Sequence, residues 1–303
     1  MTAATPAVNY NLVWLYLDDD GWGADFVRFS NDGGDTWSDG RSLGIDPMWL
    51  TWNLFSYTDD IALRIDGQHA VTAQFSDDGG ATWGPTASAS TLVDEQGPVV
   101  VAPDGYWNTR HLYTLKAHDQ VGLSGVRRLW YRVDAGTPAL VTNTSPLGTS
   151  HPLTASFVLA GKSGTPHTIA YVAQDYAGNY SGLRAALDSA RAARGTAILN
   201  TTYSAYVVVD RTRPTVSARG WDNDWHRGPV AVSFSATDGL AGVAQIQCSV
   251  TRANAKHPGA WTNTDMTIVS RSGRSKVWYR AIDLAQPHGN VSVARYVIVK
   301  IRP

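Results

Sequence analysis

The sequence predicts an all-β chain made of three tandem sandwiches. Three observations support this. First, the chain repeats itself. Trp107, Ala117-His118-Asp119, Leu123-Ser124-Gly125-Val126 and Asp175-Tyr176-Ala177-Gly178-Asn179 recur as Trp225, Ala236-Thr237-Asp238, Leu240-Ala241-Gly242-Val243 and Asp283 through Gly289-Asn290. Second, each of these copies closes on a similar strand and exit, Tyr206 to Pro214 and Tyr296 to Pro303. Third, Val, Thr, Tyr and Trp dominate while Gly and Pro punctuate throughout, the pattern of short strands separated by frequent turns.

Copy one is fainter. Leu12 to Leu17 reads as a strand, Asp18 to Gly23 as a turn, and Phe26 to Phe29 as the next strand. Thr72 to Gly80 takes the place of the Asp-Ala-Gly-Asn strand, and Leu92-Val93-Asp94 leads to the exit at Pro98. The leading segment, Met1 to Asn9, is poor in strand formers and is expected to leave a sheet edge open. The boundaries predicted are 1–96, 97–212 and 213–303, each the usual size of one small domain.

In copy two, Leu112 to Ala117, Leu129 to Val133 and His167 to Ala173 alternate as half-buried strands. In copy three, Val230 to Ala236 places Val230, Val232 and Phe234 on one face. Ala244–Val250, Met266–Ser270, Lys276–Ile282 and Ser292–Ile301 follow as further strands. About seven strands per module match an Ig-like sandwich in count and spacing. Trp107 and Trp225 are expected to pack at the start of the second strand of each copy. Cys248, alone in the chain, reads as a small buried hydrophobe and excludes an intrachain disulfide. Residues 183–194 read as a short helical insertion, with Leu183, Ala186, Leu187 and Ala190 as its apolar stripe and Gly195 as its cap.

The net charge of −1 conceals an asymmetry. Residues 1–90 carry 13 Asp against 3 Arg, whereas residues 209–303 carry 13 basic against 6 acidic residues. Modules strung in order would form a rod with oppositely charged ends, so head-to-tail or docking contacts with protein partners are expected. No apolar run reaches the roughly 18 residues of a membrane span, and no export signal is visible at Met1, so no membrane insertion is expected.

Two turns stand out: Ser30-Asn-Asp32-Gly-Gly34-Asp-Thr36-Trp37 and Ser76-Asp-Asp78-Gly-Gly80-Ala-Thr82-Trp83. In each, the Asp carboxylate is placed to accept turn N–H bonds, Gly to take a positive φ, and Trp to pack beneath. Asp32, Gly34, Trp37, Asp78, Gly80 and Trp83 are therefore expected to be structural, as are Asp119, Asp175, Gly178, Asn179, Asp238, Asp283, Gly289 and Asn290 of the repeat. Residues reproduced with a repeat belong first to its scaffold. The two turns resemble the Asp-box of sialidase-type propellers, where the box lies away from the catalytic face. Arg28 to Ser38, Val71 to Gly79 and Val209 to Pro214 resemble bacterial Ig-like repeat modules of surface and phage structural proteins. Such modules imply spacers, stalks or adhesive surfaces.

Other chemistry finds little support. Glu95 is the only Glu, which excludes a Glu pair for glycoside hydrolysis but leaves an Asp pair open. The eight His lack zinc spacing, and no phosphate loop or basic-aromatic stripe suggests a nucleic-acid site. Asp18-Asp19-Asp20 with Asp25 lacks the spacing of a calcium loop. Asp94 and Asp210 resemble the linker calcium ligands of cadherins, but Lys300 occupies that place in copy three and joint ligands come as several carboxylates. No catalytic residue, cofactor or metal is assigned. Trp22, Trp49, Trp52 and Trp261 are candidates for stacking on a host-surface polysaccharide. The function expected is non-catalytic and structural or adhesive, on a phage virion as a decoration, tail or fibre component. A fragment of a bacterial cell-surface adhesin or stalk is the alternative, and an Asp-box propeller glycosidase or carbohydrate-binding protein a further one.

Overall fold

The computed structural model describes residues 2–3, 7–8, 12–17, 23–43, 48–53, 66–144, 151–181 and 203–303. The chain divides into two compact units. The first comprises Met1–Ala102, Leu115–Ala155 and Ala170–Ser204, the second Pro103–Thr114, Ser156–Ile169 and Ala205–Pro303. Every regular element among the described residues is a strand. The strands form six sheets, alternately of three and five strands.

The first sandwich lies in the first unit. Its strands are β1 (Thr2–Ala3), β2 (Ala7–Val8), β3 (Leu12–Leu17), β4 (Phe26–Ser30), β5 (Arg41–Ser42), β6 (Met48–Asn53), β7 (Gly67–Ser76) and β8 (Ala87–Val93). They form the sheets β1-β3-β6 and β2-β8-β7-β4-β5. Period-two alternation sends Leu15 and Leu17 of one sheet against Val27, Phe29, Val71, Ala73 and Val93 of the other.

The second sandwich comprises β9 (Val99–Val101), β10 (Gly105–Trp107), β11 (Tyr113–His118), β12 (Val126–Val133), β13 (Ala139–Thr142), β14 (Leu153–Phe157), β15 (Pro166–Asp175) and β16 (Ser204–Val209). Their orders are β14-β11-β9 and β10-β16-β15-β12-β13, and these strands fall in both units. In the first unit, Trp130, Ala170, Val172 and Tyr180 pack together. In the second, the fully buried Tyr113 meets Trp107 at 4.8 Å and Phe157 at 5.4 Å. Its hydroxyl donates to the Pro103 carbonyl at 2.8 Å, which satisfies the one polar atom that burial would otherwise strand.

The third sandwich lies in the second unit, with β17 (Thr215–Arg219), β18 (Trp225–His226), β19 (Val230–Thr237), β20 (Val243–Arg252), β21 (Thr262–Asn263), β22 (Met266–Val269), β23 (Gly273–Asp283) and β24 (Arg295–Ile301). The sheets are β17-β19-β22 and β18-β24-β23-β20-β21. Val230, Val232 and Phe234 face inward as their spacing requires, and Phe234 stacks on Tyr279 at 5.3 Å. Cys248 is buried in this core, where desolvation pushes its thiol pKa up.

Among the described residues each sandwich has eight strands, where the sequence predicts about seven. The extra element is a two- or three-residue strand lying parallel to the last strand: Ala7 opposite Leu92, Gly105 opposite Val207 and Trp225 opposite Lys300. In the later copies the chain leaves the three-stranded sheet and joins the five-stranded one. The break is made by Pro103-Asp104-Gly105 in one copy and by Gly220 in the other, with both glycines at positive φ. Periodicity does not register an element this short.

Thr2–Ala3 and Ala7–Val8 pair with β3 and β8, so the leading segment occupies sheet edges rather than leaving them open. Backbone pairing there does not depend on strand-forming side chains. Trp107 is buried and donates from Nε1 to the His111 carbonyl, whereas Trp225 is 41% exposed beneath Arg274. The two share a place in the repeat but not an environment. The expected helix at 183–194 lies outside the described residues.

Phe234→Ala should lower the free energy of unfolding by about 3–5 kcal/mol in urea titration, because it empties an aromatic-sized volume from a packed core. Ser233→Ala, on the solvent side of the same strand, should stay within about 0.5 kcal/mol of wild type.

Candidate functional site

The two Ser-x-Asp turns sit at the ends of β4 and β7 and have the same internal wiring. Thr36 N–H donates to Asp32 Oδ1 at 3.0 Å, and the Thr36 hydroxyl donates to Asp32 Oδ2 at 2.5 Å. Thr82 N–H and its hydroxyl do the same for Asp78 at 2.9 and 2.6 Å. Ser30 and Ser76 each accept from the Gly N–H four residues on, Gly34 and Gly80, at 2.8 and 2.9 Å. A methyl at either glycine would stand 3.3 Å from the ring of Trp37 or Trp83.

The paired strands bring the two tryptophans onto one side chain. Arg28 lies 4.6 Å from the Trp37 ring and 4.4 Å from Trp83, and its guanidinium donates to Gln74 Oε1. Arg28 and Gln74 are register partners, so the turns sit about them with approximate twofold symmetry. The sequence showed both turns but not the arginine between them, because that contact follows from the register of β4 on β7. Hydrogen bonds lower both carboxyl pKa values. Those from Ser30 and Thr36 hold Asp32 well below the usual range, and those from Thr82 and Ser76 hold Asp78 at about 2.

The repeat aspartates assemble differently. Asp94 follows β8, Asp119 follows β11 and Asp175 ends β15, yet their carboxylate oxygens lie within 4.8 Å of one another. Asp210, Asp238 and Asp283 form a second such group. Each triad lies within one compact unit, the first in the first and the second in the second.

The two triads share most of their bonds. Asp94 accepts from Gln96 N–H at 3.1 Å and Ser124 N–H at 2.9 Å; Asp210 accepts from Thr212 N–H at 2.8 Å and Ala241 N–H at 3.2 Å. Asp119 accepts from Gly125 N–H at 2.7 Å, and Asp238 from Gly242 N–H at 3.1 Å. Asp175 accepts from Gly178 and Asn179 N–H at 2.6 and 2.8 Å, and Asp283 from Ala285 and Asn290 N–H at 3.0 and 2.7 Å. Asn179 then donates its Nδ2 to Asp175 Oδ2 and to the Asp94 carbonyl, and Asn290 does so to Asp283 Oδ2 and the Asp210 carbonyl.

Asp94, Asp175, Asn179, Asp210, Asp283 and Asn290 are at most 2% exposed, and none of the six aspartates forms an ion pair among the described residues. Buried like charges disfavour ionisation. Burial, with Asp94 and Asp119 nearby, pushes Asp175 up to about 8; burial and Asp94 push Asp119 to about 6. Asp94 and Asp210 are raised as well, chiefly by burial. Several oxygens are left without a partner: Asn179 Oδ1, Asn290 Oδ1, Asp238 Oδ2 and Gln120 Oε1.

The remaining candidates do not gather into a site. Trp52 packs tilted against Phe29 at 4.5 Å and donates to Asn31, and Trp261 lies 4.3 Å beneath Arg280. Asp18 to Asp20 and Trp22 lie outside the described residues, as does the side chain of Trp49.

The fold and its duplicated acidic turns define a tandem array of Ig-like sandwiches. Against protein-family models and curated proteins, the chain has no match. Among solved structures it is similar to the FN1–FN3 domains of chicken CNTN1, with 10% identity, 98% of this chain and 97% of that one covered, and a TM-score of 0.41. It is also similar to a tetra-tandem repeat from the extending region of a large adhesion protein, with 16% identity, 99% and 73% covered, and a TM-score of 0.29. The N-terminal four Ig domains of Dscam1 match at 12% identity, 98% and 75% covered, and a TM-score of 0.34. No property of those proteins passes to this chain.

Two outcomes are expected. The melting-temperature gap between wild type and Asp78→Ala should narrow as pH falls from 5 toward 2. A carboxylate with a depressed folded pKa contributes stability above its unfolded pKa and loses it as the folded value is reached. Gly289→Ala should destabilise by about 1–3 kcal/mol in urea titration, as overpacking does. A Cβ there would stand 2.2 Å from the Asp283 carbonyl oxygen and 2.6 Å from Ile282 Cγ2.

Proposed function

We propose that the chain is a non-catalytic structural or adhesive protein displayed on a surface. Display on a phage virion is the setting proposed, and display on a bacterial cell surface is the alternative. The observation that carries the reading is the duplication of the principal contacts of the repeat's polar residues. Asp119, Asp175 and Asn179 make the same contacts as Asp238, Asp283 and Asn290, so these side chains serve the architecture of each copy. In the first module, Asp32 and Asp78 bind their own turns, which is a structural use of the carboxylate.

Asp32→Ala should therefore lower the melting temperature and change no hydrolytic rate on a panel of sialosides and aryl glycosides. Turnover by the wild type that vanishes in Asp32→Ala at an unchanged melting temperature would overturn the reading. Immunogold labelling of virions and of intact cells separates the two settings.

The charge asymmetry supports a partner contact as part of this proposal. The acidic residues 1–90 and basic residues 209–303 are suited to dock with one another between copies, or on a surface of opposite charge. Such contacts are screened within about 8 Å at physiological salt. Sedimentation should show self-association that weakens steeply as salt rises, and a monomer at every ionic strength would exclude pairing between copies.

A further inference from the structure

We propose that each aspartate triad is the core of a calcium site, one formed by Asp94, Asp119 and Asp175 and the other by Asp210, Asp238 and Asp283. The inference goes beyond the structural role above and stands or falls separately from it. Three observations lead to it.

The first is the donor set. Each site gathers three carboxylates and an asparagine carboxamide, with no His or Cys, and Ca²⁺ takes six to eight such oxygens at about 2.3–2.6 Å. An ion at that distance reaches oxygens up to about 5 Å apart on opposite sides, and the carboxylate oxygens of each triad lie within 4.8 Å of one another.

The second is the orphaned oxygen. Asn179 and Asn290 are 0% and 1% exposed, and each has an Oδ1 with no partner. The orientation of each amide is settled by its neighbours, since Nδ2 faces two acceptors, a carboxylate oxygen and a backbone carbonyl. Nδ2 of Asn179 is 2.9 Å from Asp175 Oδ2, and Nδ2 of Asn290 is 2.9 Å from Asp283 Oδ2. Ordinary amide geometry then keeps each Oδ1 within about 5 Å of that carboxylate. Asp238 Oδ2, an oxygen of the second triad itself, is likewise buried without a partner. A buried acceptor left unmatched is costly, and a cation at the triad would satisfy it.

The third is charge. Three clustered carboxylates, two of them buried, repel one another and form no ion pair among the described residues, and a divalent ion supplies the missing positive charge. At the exit of copy three the equivalent residue is Lys300, whose Nζ donates to the Asn223 carbonyl at 2.8 Å. Two ions per chain are therefore expected. Each would tie an exit strand, β8 or β16, to the loops that follow the strands of the next sandwich, which is a structural use of calcium.

The test is calorimetric titration of the full chain with CaCl₂ after EDTA treatment and desalting, at pH 7.5 in physiological salt. Two Ca²⁺ should bind, and the melting temperature should rise with Ca²⁺ concentration as linkage requires. Asp119→Asn and Asp238→Asn, at the less buried ligand of each site, should each reduce the count to one, or weaken one site on the order of tenfold or more. Should either variant fail to fold in EDTA, NMR of the wild type localises the ions. Ca²⁺ should then shift the amides of Gly125 and Gly242, which donate to Asp119 and Asp238. An absence of heat with an unchanged melting temperature would overturn the proposal. So would two ions that persist in the double variant, one ion only, Mg²⁺ binding as tightly as Ca²⁺, or shifts confined to other residues.

Discussion

The later part of the chain is organised around a carboxylate at the end of a strand. Asp94 and Asp210 each directly follow the last strand of a sandwich and each accept backbone N–H groups from two separate segments: Gln96 and Ser124 in one case, Thr212 and Ala241 in the other. One short side chain thereby fixes both the exit of the strand and the loop that receives it. Both carboxylates are buried, and these bonds satisfy acceptors that burial would otherwise strand. The arrangement places a second and third carboxylate beside the first, since Asp119 and Asp175 organise their own turns at the same place. The asparagine completes the set by bonding to Asp175 and to the Asp94 backbone. Structural economy and electrostatic crowding have the same origin.

The first sandwich meets the same need for locked turns by another route. Asp32 and Asp78 are exposed, and each holds the Thr four residues on. Their tryptophans converge on Arg28, so cation–π contact and the bond to Gln74 join two turns that the chain separates by some 40 residues. Opposite demands on the carboxylate follow. Solvent and hydroxyl donors favour the charged form at Asp78, while burial among like charges disfavours it at Asp175.

The strand pattern was largely open to reading from the sequence. Val230, Val232 and Phe234 face the core as their alternation requires, because burial on one side of a pleated strand imposes a period of two. The short switch strands, such as Gly105–Trp107, were not, since three residues carry no period and their pairing with β16 depends on a distant partner. Trp107 and Trp225 illustrate the same limit: equivalent places in the repeat lead to burial in one copy and exposure in the other.

The residues of the acidic sites were visible as repeat landmarks, and Asp94 and Asp210 already stood at the joints. What the sequence by itself determined was the order of the copies, the turn chemistry of Asp, Gly and Asn, and the presence of one exit aspartate per joint. Local backbone geometry dictates those choices, and local spacing records them. Only the tertiary structure decided that Asp119 and Asp175 meet Asp94, and that Asp238 and Asp283 meet Asp210. That convergence crosses up to 81 positions of chain between Asp94 and Asp175. It arises because strand pairing and sheet packing bring the ends of β8, β11 and β15 together, a relation that no linear spacing contains.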